Sequence, residues 1–368
     1  MNILITGYDG FIGKNLYSHL NLLEGIDLIL ANRHNYENVI DKFVSKIDYV
    51  FHLAGENRSN KEEEFINNNV HNTSYLINAL KKNKNKAPIV FSSSSQSGQN
   101  TIYGKTKYQA EQLLVKHSKD NKSQVFIFKF PNIFGKWAKP DFNSVIATII
   151  NDLLNNKKTE IWNGDKNFEL LYIDNVISLM LECIKDKNTK LIYIEDFVTI
   201  KTKVNDIYNT LKLFHTNRKK EEFRLNFNAF EKALYATYLS YLDIEESIFS
   251  VNSFSDNRGS FIEFMKEPFK GQISVFTAYP GVIRGNHFHH TKVERFLIFS
   301  GTALFKFKHI INFKIFEVVV KANDPKIIET FPGWNHSIEN IGTSEFSGVI
   351  WANEVFDPIK PDTYYERI

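Results

Sequence analysis

The sequence predicts two domains of different class: an N-terminal α/β domain built on a doubly wound parallel sheet, and a C-terminal all-β domain of the small barrel or jelly-roll kind. Three observations carry this. From Met1 to about Asn132, short apolar runs bounded by turn residues alternate with helical stretches, the order that βαβ units require. After about Ser250 the texture changes to short alternating segments punctuated by Gly and Pro, which suits strands and leaves no place for a long helix. A chain of 368 residues, at about 150 per domain, is long enough to bury a core in each.

The first domain reads, in order, as strands at 2–5, 27–31, 49–53, 89–92 and 125–130. Between them, helices are expected at 13–22, 64–81 and 104–118, with Leu76, Leu80 and Leu113 at helical spacing. Residues 133–245 are less regular, and 219–242 reads as one long amphipathic helix ending near Asp243. In the second domain, 304–308 (LFKFK) and 313–320 alternate with a period of two. Closing such strands into a barrel leaves few edges exposed. The expected domains are therefore 1–245 and 250–368.

Composition excludes several classes. Lys plus Arg number 45 against 42 Asp plus Glu, and a net charge of +3 gives no electrostatic reason to expect nucleic acid or an anionic membrane as partner. The single cysteine, Cys183, cannot form an intramolecular disulfide, which permits a reducing compartment. The opening MNILITG lacks the basic and apolar regions of a signal peptide, and no run approaches 18 apolar residues. A cytoplasmic protein with no membrane partner is expected.

Thr6, Gly7, Gly10 and Gly13 spell TGxxGxxG between the first strand and the first helix. Glycine there lets backbone approach a pyrophosphate, which the helix N-terminus attracts through unpaired N–H groups and its dipole. A glycine-rich turn with no ligand is the plainer reading. At the end of the second strand the sequence is LILANRH, with Asn32 and Arg33 where an acid would bond the ribose of NAD. Arg33 can pair with a 2′-phosphate, which predicts NADP over NAD; the other reading is a solvated loop cation. Tyr103 and Lys107 form YxxxK at a helix start. Residues four apart share a helix face, and a nearby cation moves a phenol towards acid–base work at neutral pH.

With these residues in order, the N-terminal half resembles the extended short-chain dehydrogenase/reductase family of Rossmann-type enzymes acting on nucleotide sugars. The matches are TGYDGFIG at 6–13, HLAG at 52–55, NVHNT at 69–73, FSSSS at 91–95, YGKTK at 103–107, PNIFG at 131–135 and YIDNV at 172–176. The resemblance implies that Ser94 orients a carbonyl, Tyr103 is the acid, and Lys107 holds the ribose and tunes Tyr103. Ser93 or Ser95 could stand for Ser94, because a serine run leaves the register open. Cofactor contacts would fall on Thr6, Gly7, Gly10, Phe11, Ile12, Gly13, Asn32, Arg33, Leu53, Ala54, Lys107 and Pro131.

The C-terminal region places His287, His289 and His290 within four positions, then Glu294, and His336 in FPGWNHSIEN. On a strand His287 and His289 share a face and His290 takes the other. With Glu294 opening the next strand and His336 arriving from a later turn, the set suits Zn²⁺ or another divalent transition metal. The spacing from Gly281 through HFH and Glu294 to Gly301 resembles the cupin family, whose second motif is partly kept at Gly333, His336 and Asn340. DNRGSFIE at 256–263 is similar to a segment of cupin-fold sugar-nucleotide 3,5-epimerases, and would bring Arg258 and Glu263 to a nucleotide; a charged strand edge is the other reading.

A reductase fused to an epimerase-like cupin resembles the CapF/FnlB type of capsule and O-antigen precursor enzymes over the whole chain. It implies a UDP-linked 4-keto-6-deoxy-N-acetylhexosamine as substrate, with C3 epimerisation on the cupin and NADPH reduction at C4. The epimerisation base is left open between His290 and Lys292. Two alternatives remain: a single-activity NADPH 4-ketoreductase whose cupin serves to form a homodimer, and a non-catalytic NADPH-sensing scaffold.

Overall fold

The computed structural model describes residues 1–161, 164–186, 191–219, 227–250, 253–256, 259–262, 272–354 and 359–368. They form two compact units, Met1–Thr148 with Asn163–Val204, and Ile149–Trp162 with Asn205–Ile368. Among the described residues no helix is long and apolar enough to cross a membrane.

In the first unit β1 (Asn2–Thr6), β2 (Asp27–Ala31), β3 (Tyr49–His52), β4 (Ile89–Ser94) and β5 (Val125–Phe130) are parallel neighbours. Their continuous apolar character reflects burial on both faces: Leu4, Val50, Ile89 and Ile127 pack with Leu76, Leu80 and Leu114. The chain then leaves this sheet through β6 (Asn132–Phe134) and β7 (Asn167–Tyr172), closes its far edge with β8 (Leu191–Ile194), and returns in β9 (Ile200–Lys203) to a three-stranded sheet with β6 and β7. The six-stranded order is β2-β1-β3-β4-β5-β8. Strand order therefore reverses direction between β1 and β3, and in such sheets the ligand crevice opens beyond the carboxyl ends of the strands at that switch point.

The connecting helices begin with α1 (Phe11–Leu20), α2 (Tyr36–Phe43), α3 (Glu62–Phe65), α4 (Asn72–Lys82) and α5 (Ile102–Asn121). The segment expected as one helix over 64–81 is interrupted: Ile66–His71 takes π geometry between α3 and α4. Residues 133–245 hold α6 (Val145–Leu154), α7 (Ile173–Glu182), α8 (Val204–Lys219) and α9 (Ala229–Leu239). The single helix expected over 219–242 is corrected here. Lys219 ends α8, and a new helix starts from a capping box. The Asn228 side chain accepts from the Glu231 N–H at 2.9 Å and the Glu231 carboxylate accepts from the Asn228 N–H at 3.0 Å. An N-cap residue has non-helical backbone, so helix cannot run through it.

Past Ser247 the described elements are all strands: β10 (Ile248–Ser250), β11 (Ser253–Asp256), β12 (Gly259–Ile262), β13 (Gln272–Ala278), β14 (Ile283–Phe288), β15 (Glu294–Ser300), β16 (Thr302–His309), β17 (Ile315–Lys321), β18 (Lys326–Glu329), β19 (Trp334–Asn340), β20 (Phe346–Ala352) and β21 (Tyr364–Tyr365). Two five-stranded antiparallel sheets, β10-β18-β15-β20-β13 and β17-β16-β19-β14-β21, make a cupin-like sandwich. In β16 the LFKFK alternation buries Phe305 and Phe307, and Phe305 meets Phe296 of the other sheet with ring centroids 5.6 Å apart. Arg258 and Glu263 lie outside the described residues.

Candidate active sites

The turn after β1 is built for close approach. Gly7 has a φ of +69°, and a Cβ there would lie 2.8 Å from the Ala54 nitrogen; one on Gly13 would lie 2.1 Å from the Gly7 carbonyl oxygen. Gly10 donates to that same carbonyl at 3.0 Å and caps α1 with no side-chain bond, and the first turn, which includes Phe11 and Ile12, carries no acid. Its N–H groups thus remain available to an anion. Thr6 fixes the opposite wall, its hydroxyl accepting from the Leu53 and Ala54 N–H groups at 3.1 Å each and donating to His52 Nδ1 at 2.8 Å. His52 Nε2–H then donates to Thr73 Oγ1 at 2.9 Å, and the Thr73 hydroxyl donates to the Asn69 carbonyl at 2.6 Å. Each hydroxyl has one proton to give, so this chain assigns the His52 tautomer. Burial, then the Lys107 charge, pushes His52 down to about 3 and keeps it neutral.

At the end of β2, Asn32 folds onto its own turn, its N–H bonding the Asn35 side chain at 2.7 Å and its side chain accepting from the His34 N–H at 3.0 Å. Arg33 is 61% exposed yet paired with the buried Glu56 at 2.6 Å. An anion at Arg33 must share that guanidinium with a carboxylate. Glu56 itself is held by Asn69, which accepts from its N–H at 2.8 Å and donates to its carbonyl at 3.0 Å.

The serine run separates in space. Ser93 donates to the buried Glu111, Ser95 is exposed, and Ser94, which accepts from the Gln96 N–H at 3.1 Å, is the serine that faces Tyr103. Burial raises the Tyr103 phenol, and the Ser94 bond pulls it back down. Lys107, on the next turn of α5, donates to the Ser92 carbonyl at 2.9 Å and stands over the Phe91 ring. Burial lowers its ammonium to about 8, with Glu111 opposing. A Cβ on Gly55 would meet Asn69 Oδ1 at 2.8 Å and Lys107 Nζ at 3.1 Å, so any side chain where HLAG passes between them would have to push one of them aside. Asn69 sits in the π segment, where such geometry commonly re-aims a functional side chain. Pro131 follows β5, half-buried. A cavity of about 330 Å³ in the same unit is lined by Arg58, Asn132, Phe142, Asn143, Ser144 and Phe168 among others; of its wall the sequence marked only the PNIFG segment at 131–135.

In the second unit β14 and β19 pair His287 directly with His336, across a bulge between Gly285 and His287. Gly285 has a φ of +90° and passes the His336 carbonyl so closely that a Cβ would lie 2.8 Å from it. His289 lies one residue beyond β14, and His336 is on a strand rather than in the turn expected. The structure brings His287, His289, Glu294 and His336 together, with one potential ligand atom from each within 4.8 Å of the others. His289 Nε2 and His336 Nε2 lie 3.1 and 3.3 Å from Glu294 Oε2. His289 Nε2 and Glu294 Oε2 are buried without an aligned hydrogen bond, a need that one shared cation would satisfy.

The shifts at His287, His336 and Glu294 run in the direction a ligand set needs. Burial, then the His336 and His289 rings, lowers His287 to about 3, and burial likewise lowers His336. Burial raises Glu294, but His289 and His336 outweigh it and hold the carboxyl well below its usual range. Neutral imidazoles and a carboxylate are the forms that bind a divalent transition metal. Of the two residues considered for proton transfer, His290 packs against Phe288 and Tyr364, with ring centroids at 5.4 and 4.7 Å. Lys292 reaches within 3.8 Å of Glu294 Oε1.

Residues 3–194 match the NAD dependent epimerase/dehydratase family and residues 254–364 the polysaccharide biosynthesis C-terminal domain. The chain is 36% identical to a UDP-2-acetamido-2,6-beta-L-arabino-hexul-4-ose reductase of Pseudomonas aeruginosa over 364 residues, 99% of this chain and 98% of the relative. It is 34% identical to the capsular polysaccharide assembling protein CapF of Staphylococcus aureus, whose crystal structure superposes with a TM-score of 0.63 and full coverage of both chains. A UDP-glucuronic acid 4-epimerase of Bacillus cereus, solved with NAD, shares the fold at 21% identity and a TM-score of 0.53, over 59% of this chain and 84% of its own. From the glycine turn through the histidine cup, the chain belongs to the NAD-dependent epimerase/dehydratase family, in its CapF/FnlB-type branch with the polysaccharide biosynthesis C-terminal domain.

Proposed function

We propose that the chain is a bifunctional nucleotide-sugar enzyme. Its C-terminal domain, 250–368, inverts C3 of a UDP-2-acetamido-2,6-dideoxy-4-hexulose, and its N-terminal domain, 1–245, reduces the C4 ketone with NADPH to give UDP-2-acetamido-2,6-dideoxy-L-talose. The observation that carries this is the pairing, on one chain, of a Ser94-bonded phenol with a four-residue metal-type donor set. One ketone links the two: it acidifies the neighbouring C3–H and it accepts hydride. The Pseudomonas aeruginosa relative, named as a UDP-sugar 4-ulose reductase, supports the reduction half.

The glycine turn and Lys107 fit NADPH, which supplies the hydride; Arg33, largely exposed beside Glu56, is the residue for the 2′-phosphate. Tyr103 gives its proton to the C4 oxygen as the carbon is reduced, and the O–H electron pair stays on the phenolate, which the Ser94 hydroxyl stabilises. Lys107 adds a buried positive charge and holds the cofactor ribose. On the other unit His287, His289, Glu294 and His336 would hold Zn²⁺ or another divalent transition metal, whose Lewis acidity stabilises charge on the ketone oxygen when the C3 proton leaves. Return of a proton to the opposite face of C3 completes inversion with no redox change. The edge strand of the described sheet, β13, exposes Ile273 and Val275, which supports a homodimer in the same reading.

The test is one incubation of protein, UDP-4-keto-6-deoxy-N-acetylhexosamine and NADPH in D₂O, followed by NMR and NADPH absorbance. One deuterium at C3 with inverted configuration, together with NADPH loss, is expected. Reduction with protium kept at C3 would replace this reading by a single-activity ketoreductase, and absence of NADPH loss by a cofactor-sensing scaffold.

A further inference from the structure

We propose that the C-terminal segment Asp362–Glu366 is a clamp that sets the metal cup, with Asp362 as the positioning residue acting through His289. The inference rests on the reading of the cup as a metal site. A histidine ligand needs its second nitrogen engaged, so that tautomer and ring direction are fixed. Here His289 Nδ1–H donates to the Asp362 backbone carbonyl, which leaves Nε2 as the nitrogen presented to Glu294. The Asp362 carboxylate then gathers the turn between two ligands, His289 and Glu294. It accepts from the N–H groups of His290, Thr291 and Lys292 at 2.9, 2.7 and 2.7 Å and from the Thr291 hydroxyl at 2.8 Å.

The residues after Asp362 secure the other two histidines. Thr363 accepts from Lys292 Nζ at 2.9 Å. Tyr365 and Tyr364 pair with His287 and Phe288, adding β21 to the edge of β14. The Glu366 N–H donates to the Asn286 carbonyl at 2.9 Å, beside His287, and the Glu366 carbonyl accepts from Asn335, beside His336. A segment of five residues therefore touches His289 and His287 themselves and a chain neighbour of His336.

Chelator-stripped full-length protein titrated with Co²⁺ alone, read by visible absorbance and by competition with a chromogenic chelator, tests the clamp. Asp362→Ala is expected to weaken Co²⁺ binding 10- to 100-fold and to change the visible spectrum, the range typical of a lost outer-shell partner. Asp362→Asn, which keeps part of the acceptor set, should fall between that variant and the parent. Lys308→Ala removes the 3.1 Å ion pair to the Glu366 side chain and the contact with the Phe313 ring, but no bond of Asp362, and should match the parent. Parent affinity and spectrum in Asp362→Ala overturn the clamp; if that variant does not fold, parent-like binding in Asp362→Asn does so. Failure of the parent protein to take up Co²⁺ overturns the metal reading instead.

Discussion

At the residue scale, Lys107 sets a sign for the pH dependence of the reductase. Burial lowers its ammonium to about 8, while burial raises Tyr103 above the ordinary phenol value. As pH climbs, Lys107 therefore loses its charge first and the phenol remains a proton donor. kcat/KM for NADPH, which reports groups in the enzyme before cofactor binds, is expected to fall above pH of about 8, and Lys107→Arg, permanently charged, should flatten that limb at whatever lower rate it supports. Unfolding through this group does not mimic the effect. Between about 8 and the ordinary lysine value the unfolded chain holds the extra proton, so this contribution to stability rises with pH across the same window. A descending limb unchanged in Lys107→Arg would assign it to another group.

At the scale of elements, the strand–turn–helix of β1 and α1 makes the next prediction. A Cβ on Gly13 would lie 2.1 Å from the backbone oxygen of Gly7, and no rotamer change relieves a backbone clash. Gly13→Ala should therefore cost at least tenfold in NADPH affinity, read by fluorescence titration, and lower Tm. Gly25→Ala is the control: φ is +74° but nothing lies within 4 Å, so it should cost about 1 kcal/mol in stability and leave NADPH affinity unchanged. Equal affinities for the two variants would remove the cradle from the cofactor site. These elements were legible because both-face burial leaves continuous apolar runs and because close approach demands glycine. The histidine cup was legible from spacing, since its four residues lie on or beside paired strands. Other features carry no local signal. The Arg33–Glu56 pair joins residues 23 apart, and a run of serines cannot say which one meets Tyr103. Two-residue β21 has no period to read, and the helix break at Asn228 was readable as a capping box but hidden by an apolar pattern that continued past it.

At the scale of the whole molecule, the phenol and the histidine cup belong to different compact units, so the two half-reactions should separate by substitution. His287 pairs with His336 and Tyr365 and lies 4.9 Å, ring to ring, from His289, all within the β-domain. His287→Ala removes one of four donors and leaves the turn of β1, Ser94, Tyr103 and Lys107 untouched. It is expected to cut C3 deuterium uptake from D₂O by at least a hundredfold while NADPH oxidation with a 4-keto sugar nucleotide of already inverted C3 configuration persists near the parent rate. Tyr103→Phe gives the reciprocal outcome: loss of a general acid costs 10²- to 10⁴-fold in reduction, and C3 exchange continues because that step needs no hydride. Chelation of the parent protein should copy His287→Ala and restored metal should reverse it, which distinguishes a lost cation from a damaged fold. If His287→Ala and Tyr103→Phe instead fell together in both assays, the reaction would depend on one site alone, and the histidine cup would have to be reassigned as a structural brace for the β-domain.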